Sequence, residues 1–586
     1  MGPSSSTLAT SHTAPAPAPP QRPAVLPTVV LGALVGTLTA LGAALFVALA
    51  RGSSHWLTFL PPQASSSGSI PGWLVAVATV GIPTAGGLVA GLIHSRLLKG
   101  RPQGPADVIE AVQTRRPLDH GPTGFLSTCS AWVSLGCGAS VGQYGPLVHL
   151  GGTVGAMVAG QCQARADQVN TALACGVAAA IATAFGAPIS GILFAFEVVL
   201  RHFSPRAFAP LAVAASLGYL IAAAIGIHEP FLIVQGRVTL VTWEYGLLVA
   251  IGALGGVVAV VYMGMILTVT QLAGRWRLPS LWGPAIAGAV VGLGGLWVPE
   301  ILGLGFEVLA VAPAGAYGFG ELGLILVCKL LATALCLGLG FAGGGFSPAL
   351  FIGVLFGVLV GGGLEHWLGM PAVDLTAYAI AGMVAVTAPV IGAPVTTVVI
   401  VLELTQNYTL TAVALTSVAL ANGVAAKLLG PSLFDLQLSA RGLDLAGGRS
   451  KVLLDQRQVR ELISDDYVAV APALTVATAR QRLALAGKSV AYIQDEAGRL
   501  LGVLPLAALV NAPEGIVVQW LHPPQVILTP ECTLNTAMVT LETFVGESVP
   551  VVDGDGRLVG VVFETAHIRA YLATVATLQR EGYGHG

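Results

Sequence analysis

Charge is scarce in this sequence. Asp, Glu, Lys and Arg make up 10% of it against 54% hydrophobic residues, and the formal net charge is −2. Over 586 residues, with a mean hydropathy of +0.80, that excludes a soluble protein and reads as a polytopic membrane protein. The near-balanced charge also excludes the basic footprint of a nucleic-acid binder. Paired cysteines are missing too. Cys129, Cys137, Cys162, Cys175, Cys328, Cys336 and Cys532 contain no CxxC pair, and six of the seven lie in apolar segments. They read as buried small hydrophobes, without a zinc or disulfide framework. Residues 1–27 lack the basic start and short apolar core of a signal peptide. Rich in Ser, Ala, Thr and Pro, they read as a disordered leader.

Long apolar runs are abundant. The first, Thr28 to Ala50, carries no charge, and a second follows at Trp73 to Ile93; each is long enough to cross a bilayer. The polar loop between them, with Ser53, Ser54 and Ser65 to Ser67, holds only Arg51 as a basic residue. The next segment holds Arg96, Lys99, Arg101, Arg115 and Arg116. The positive-inside rule places that segment, and both termini, in the cytoplasm. Up to about Gly430 the runs vary. Gly246–Thr270 spans fully, whereas Leu147–Gly160 is short and Gly186-Ala187-Pro188 breaks its run. Interrupted helices are tolerated in a membrane only where protein buries them or where they line a polar cavity, which favours a transporter or channel over a simple anchor.

Two halves of this region resemble each other. Gly142-Gln143-Tyr144-Gly145-Pro146 has Gly151 five residues beyond its proline, and Gly344-Gly345-Phe346-Ser347-Pro348 has Gly353 five beyond its own. Gly186-Ala187-Pro188 has Glu197 nine residues beyond its proline, and Gly392-Ala393-Pro394 has Glu403 nine beyond its own. Paired breaks point to a site at the repeat interface near the membrane midplane. A helix start offers unpaired N–H groups and a partial positive charge, and proline costs nothing in that first turn. Two such starts facing each other hold an anion without a full positive charge, so the anion can leave again.

Together with Glu403-Leu404-Thr405-Gln406-Asn407-Tyr408, these motifs resemble the CLC family of chloride channels and chloride/proton exchangers over about residues 28–445. The resemblance implies an α-helical polytopic fold, an inverted repeat of tilted and broken helices spanning about 73–228 and 246–430. It also implies a homodimer in the cell membrane with one anion pathway per subunit. It assigns anion binding to Gly142, Gln143, Gly145, Gly345 and Phe346, and an outer gate to Tyr144. No enzyme activity and no metal are expected.

Four positions depart from the family pattern. Its first anion motif, usually Gly-Ser-Gly-Ile-Pro, is matched by Pro102-Gln103-Gly104-Pro105-Ala106, so Gln103 and Gly104 stand at the inner anion position. The gating glutamate is replaced by Tyr144. A phenol, with an ordinary pKa of about 10, is neutral near pH 7. It can donate a hydrogen bond to an anion or plug the pathway. The internal proton glutamate of exchangers is replaced by Val198, and the pore tyrosine is matched by Phe434. With both proton carboxylates missing, the reading is a passive, proton-uncoupled anion channel, with chloride as the anion. The alternatives are an exchanger with an unusual proton path, a proton-independent carrier of nitrate or bicarbonate, and a non-conducting nucleotide-sensing membrane protein.

Glu197 and Glu403 are intramembrane carboxylates, functional candidates by default. Their matched placement suggests a shared structural role, such as bonding the free amides of a broken helix. His149 reads as a packed histidine, and Asp107 and Glu110 as first-turn acids of a short helix.

After a linker at 446–458, the composition turns polar and repeats once more. Val468–Val470, a helix near Val476–Ala486, and strands on either side of Asp495 to Leu500 form one unit at 459–510. Val526–Leu528, a helix near Leu534–Phe544, and strands on either side of Asp553 to Leu558 form the other at 517–575, with a flexible tail at 576–586. The Asp-x-x-Gly-Arg-Leu turns read as hairpins. These units resemble a tandem pair of CBS domains, some of which bind adenine nucleotides. The ribose-binding Asp of such pairs is absent from Leu504–Ala508 and Phe563–His567, leaving Thr565 as a partial substitute. The expectation is a structural or dimerising unit, with no cofactor unless an adenine nucleotide binds there.

Overall fold

The computed structural model describes residues 25–55, 71–227, 242–368, 375–510 and 512–582. Of the expected leader, residues 1–24 lie outside the described residues, and Val25–Pro27 already belong to the first helix, Val25–Ser54. The Ser65–Ser67 loop also lies outside them. Among the described residues, eight helices are long and apolar enough to cross a membrane. The second expected span is the helix Gly72–Ser95, and Gly246–Thr270 lies within Thr242–Arg275. These helices carry apolar side chains on their outer faces, as with Leu45 at 61% and Trp73 at 69% exposure, which suits a hydrocarbon solvent rather than water.

The two halves are built alike. In the first, helix Tyr144–Gln161 packs on Ala166–Phe185, which ends at a left-handed Gly186 before Pro188 opens a seven-residue helix. In the second, Phe346–Leu368 packs on Leu375–Ile391, and a left-handed Gly392 precedes Pro394, which opens Pro394–Thr405. Glycine takes this conformation without a Cβ penalty, and the proline then starts a helix whose first N–H would be unpaired anyway. The glycine five residues beyond each motif's proline has a packing reason. Gly353 faces Gly382 so closely that a Cβ would lie 2.6 Å from the Gly382 carbonyl oxygen, and Gly151 faces Gly176 in the same way.

The C-terminal units fold much as their pattern suggests. Strands β1 (Val468–Val470), β2 (Val490–Gln494) and β3 (Leu500–Pro505) form one sheet, with β1 parallel and β3 antiparallel to β2. Strands β4 (Ser548–Val552) and β5 (Leu558–Phe563) form a second hairpin, and both hairpins shift register at the same place. Each turn is closed by its aspartate: Asp495 Oδ1 accepts from the Arg499 N–H at 2.7 Å and Asp553 Oδ1 from the Arg557 N–H at 2.8 Å. The turns also pair with each other, Leu500 N–H to Gly556 O and Leu558 N–H to Gly498 O.

Val526–Leu528 joins the second unit through a single parallel bridge, Leu528 to Val551. Two expectations are corrected here. The linker contains a helix, Gly448–Asp455, whose Val452 is buried in the membrane-region core and whose Leu454 is buried in the second C-terminal core. The tail is helical as far as Gly582, within Glu564–Gly582; residues 583–586 lie outside the described residues.

Candidate anion site

The two anion motifs meet directly. Gly142 and Gly344 form a two-residue antiparallel bridge, each N–H donating to the other's carbonyl at 2.8 Å. Only glycine permits this approach: a Cβ on Gly142 would lie 2.6 Å from the Gly344 oxygen, and one on Gly145 would lie 2.7 Å from the Gly344 Cα. Ser347 adds a second tie by accepting the Gln143 N–H on its hydroxyl at 3.2 Å. The expected donor at Gly142 is therefore corrected to a bridge donor, and the Gln143 amide is engaged as well. First-turn amides have no acceptor in a preceding turn. Those of Tyr144 and Gly145 in one helix, and of Phe346 in the other, stand in that position. Gly345 is held from behind, its carbonyl accepting from the Tyr262 hydroxyl at 3.0 Å.

Tyr144 is 2% exposed. Its ring stacks on Phe185 with centroids 3.9 Å apart and tilts against Phe346 at 5.1 Å. Phe194 lies parallel to Phe346 at 6.4 Å. An aromatic wall thus surrounds the facing helix starts. Phe185 and Phe194 were not singled out in the sequence, although both flank the Gly186-Ala187-Pro188 break.

The inner position is more crowded than the sequence suggests. Gln103 donates its backbone N–H to Ser127 Oγ at 3.0 Å. Its side-chain Oε1 lies 3.1 Å from His149 Nε2 and its Nε2 lies 3.4 Å from Asp119 Oδ2. Gly104 donates to Asp107 Oδ2 at 2.9 Å, so this amide caps its own helix, Pro105–Thr114, instead of facing an anion. Asp107 also accepts from Arg101 and Arg441. Phe434 is 7% exposed in helix Leu433–Ser439, next to Leu433, which faces Gly345. Ser432 caps that helix, and Asp435 beside it pairs with Arg201 at 2.6 Å.

Val198 is buried in a π-helical turn, Ala195–Leu200. Its neighbour Glu197 accepts from the Val395 and Thr396 amides at 3.0 and 2.9 Å. Glu403 accepts from the Ile189 and Ser190 amides at 2.8 and 2.7 Å. Each carboxylate caps the broken helix of the opposite half. One more buried charge escaped notice although it interrupts an apolar run. Lys329, 1% exposed, donates to Ile301 O and Gly303 O and lies over the Phe351 ring. Gly303 in turn donates to Gly138 O, so the lysine braces the loop that leads to Gly142.

In the C-terminal region, a cavity of about 300 Å³ opens between the hairpins, lined by Val503, Pro505, His522, Phe544 and Ser548. Thr565 is exposed on the first turn of the last helix and is not part of this wall.

A family model described as "Voltage gated chloride channel" matches residues 86–426, and one described as "CBS domain" matches residues 517–565. A protein named H(+)/Cl(-) exchange transporter ClcA from Vibrio cholerae is 30% identical over 331 residues, covering 54% of this chain and 69% of that protein. One named voltage-gated ClC-type chloride channel ClcB from Citrobacter koseri is 29% identical over 334 residues, covering 56% and 79%. A crystal structure of a eukaryotic CLC transporter superposes with a TM-score of 0.62 at 20% identity, covering 92% of this chain and 98% of the other, a likeness of fold.

Proposed function

The chain belongs to the voltage-gated chloride channel (CLC) family, with CBS domains at its C-terminus, and within that family we propose that it is a passive, proton-uncoupled anion channel. Its relatives include both an exchanger and a channel by name, so the choice falls to the residues. One observation carries it. Where family exchangers have a gating carboxylate, this chain has the ring of Tyr144, packed against Phe185 and Phe346. The internal proton carboxylate is replaced by buried Val198. Neither side chain can accept and release a proton near neutral pH.

On this reading, chloride rests against the first-turn amides of Tyr144, Gly145 and Phe346. Oriented peptide dipoles hold it there without a fixed cation. Phe434 and Gln103 shape the inner side, and Tyr144 closes the outer one. The protein works as a homodimer in the cell membrane, with both termini cytoplasmic and a C-terminal pair that is structural.

The test is flux in liposomes under a chloride gradient, with chloride and pH followed together. Chloride is expected to leak with no net proton movement. Protons driven against their own gradient would make the chain an exchanger and overturn the proposal. Flux of nitrate or bicarbonate with none of chloride would reassign the ion. No flux of any of them would leave a membrane sensor.

A further inference from the structure

Hydrogen-bond donors on the inner side of the site already have acceptors within the protein. The Gln103 N–H goes to Ser127 Oγ at 3.0 Å, and the Ser127 hydroxyl goes to Thr123 O at 2.8 Å. The Gln103 carboxamide is held at both ends, Nε2 at 3.4 Å from Asp119 Oδ2 and Oε1 at 3.1 Å from His149 Nε2. A carboxamide oxygen only accepts, so the imidazole N–H is taken as well. The Gly104 N–H goes to Asp107 Oδ2 at 2.9 Å. Phe434, in the helix Leu433–Ser439, has a ring and no donor.

Two of these acceptors, Asp107 and Asp119, are carboxylates. Hydrogen bonds to an ionised acceptor are stronger than those to a neutral one, so a passing anion competes poorly for the Gly104 and Gln103 donors. What meets it instead is the set of first-turn amides at Tyr144, Gly145 and Phe346, inside a wall made by Phe185, Phe194 and Phe346. Peptide dipoles and the positive edges of aromatic rings make a weak field. An anion that enters must shed water. Where the coordinating field is weak, the cost of shedding it decides which ion passes. Chloride and fluoride carry dense charge and hold water tightly. Nitrate and thiocyanate spread the same charge over more volume and hold it loosely.

We infer that this pathway favours large, weakly hydrated anions, in the order thiocyanate, nitrate, chloride, fluoride, and that Asp119 sets the order by engaging the Gln103 side-chain amide. This rests on the reading of the chain as an anion channel and names the class of ion that such a channel passes best. Asp119 is a positioning residue, since it acts through Gln103 without touching the ion. Chloride still permeates, on the backbone amides alone. A freed Gln103 Nε2 would offer it one more donor, and dense charge gains more from a donor than diffuse charge does.

The test is anion efflux from liposomes holding the full-length protein, loaded in turn with thiocyanate, nitrate, chloride or fluoride, with the leak of protein-free vesicles subtracted. Thiocyanate and nitrate are expected to leave roughly three- to tenfold faster than chloride, the factor that one hydrogen bond represents, and fluoride slowest. Asp119→Ala should lower the thiocyanate-to-chloride ratio by a similar factor. Loss of its charge helps every monovalent anion alike, so the ratio reads the freed donor. Asp119→Asn keeps an acceptor for Gln103 and should hold the wild-type ratio. Phe434→Tyr adds a hydroxyl on the inner side and should lower it. Chloride ahead of thiocyanate and nitrate in the wild type overturns the order. An Asp119→Ala variant with the wild-type ratio, or an Asp119→Asn variant that shifts as far as Asp119→Ala, overturns the role of Asp119. Equilibrium binding in detergent, by calorimetry, reads the same order without flux. Thiocyanate bound more tightly than chloride by a protein that passes neither would sink the channel reading and leave the order standing. Chloride bound more tightly by such a protein would sink both.

Discussion

Tyr144 and Phe185 stack face to face, their centroids 3.9 Å apart and their planes 19° from parallel. Such a pair contributes about 0.5–1.5 kcal/mol beyond its buried area. That is enough to hold the ring at rest and little enough to let it swing. If the ring is a plug, Tyr144→Ala should raise chloride flux by roughly two- to tenfold, the factor that barrier represents. A drop in flux would mean that the phenol coordinates the anion.

Proton coupling should need two carboxylates. Tyr144→Glu and Val198→Glu, each alone, are expected to leave chloride flux without proton movement. The double variant should show chloride-driven pH change in sealed vesicles. Coupling in the Val198→Glu single variant would show that Tyr144 is not what blocks the proton.

The glutamate caps should weigh alike. Hydrogen bonds to a charged acceptor contribute about 1.5–3 kcal/mol each, and Glu197 and Glu403 each accept two amides and a hydroxyl. Glu197→Gln and Glu403→Gln should each lower the melting temperature in detergent, and by similar amounts. An effect confined to one of them would break the symmetry of the two halves.

Two glycines that sit in matching motifs should respond in opposite ways. Gly145→Ala drives a Cβ to 2.7 Å from backbone, an overpacking cost of about 1–3 kcal/mol or more, and should abolish flux or folding. Gly104 has extended backbone and nothing within 4 Å of a Cβ. Gly104→Ala should therefore fold and conduct close to wild type. Loss of flux in a folded Gly104→Ala variant would mean that the anion needs that close approach.

In the C-terminal region, burial holds the His567 imidazole below its ordinary range, with Nε2 2.9 Å from Leu534 O. The neutral ring is the folded form, so its contribution is fully present above the ordinary histidine pKa of about 6.5. It is lost as pH falls from there toward the folded value. Limited proteolysis of this region in the full-length protein should quicken between pH 7 and 5. His567→Gln should flatten that trend.

What the sequence revealed follows the range of the interactions involved. The breaks at Gly186 and Gly392, the prolines after them and the two Asp-x-x-Gly-Arg-Leu turns are local chemistry, and each takes the form expected. The amide-bonding role of Glu197 and Glu403 was also legible from their matched spacing. That each serves the opposite half was not, because partners about 200 residues apart leave no local signal. The same holds for the Gly142 amide, read as an anion donor but engaged by Gly344. It holds for Gln103 too, whose partners lie on two other elements. The segment 446–458, read as a linker, carries the helix Gly448–Asp455. Its Val452 and Leu454 belong to two different cores.

The crossed glutamates also set a timetable for biosynthesis. The amides of Ile189 and Ser190 wait for a carboxylate 214 residues downstream of Ile189. At about 5–20 residues per second, that is a delay of roughly 10–40 s during which the first half has emerged with its broken helix unfinished. A chain stalled before Glu403 would hold bare N–H groups at the Pro188 break. The nascent first half is therefore a client for whatever shields polar backbone during membrane insertion, and its maturation is complete only when the second half arrives.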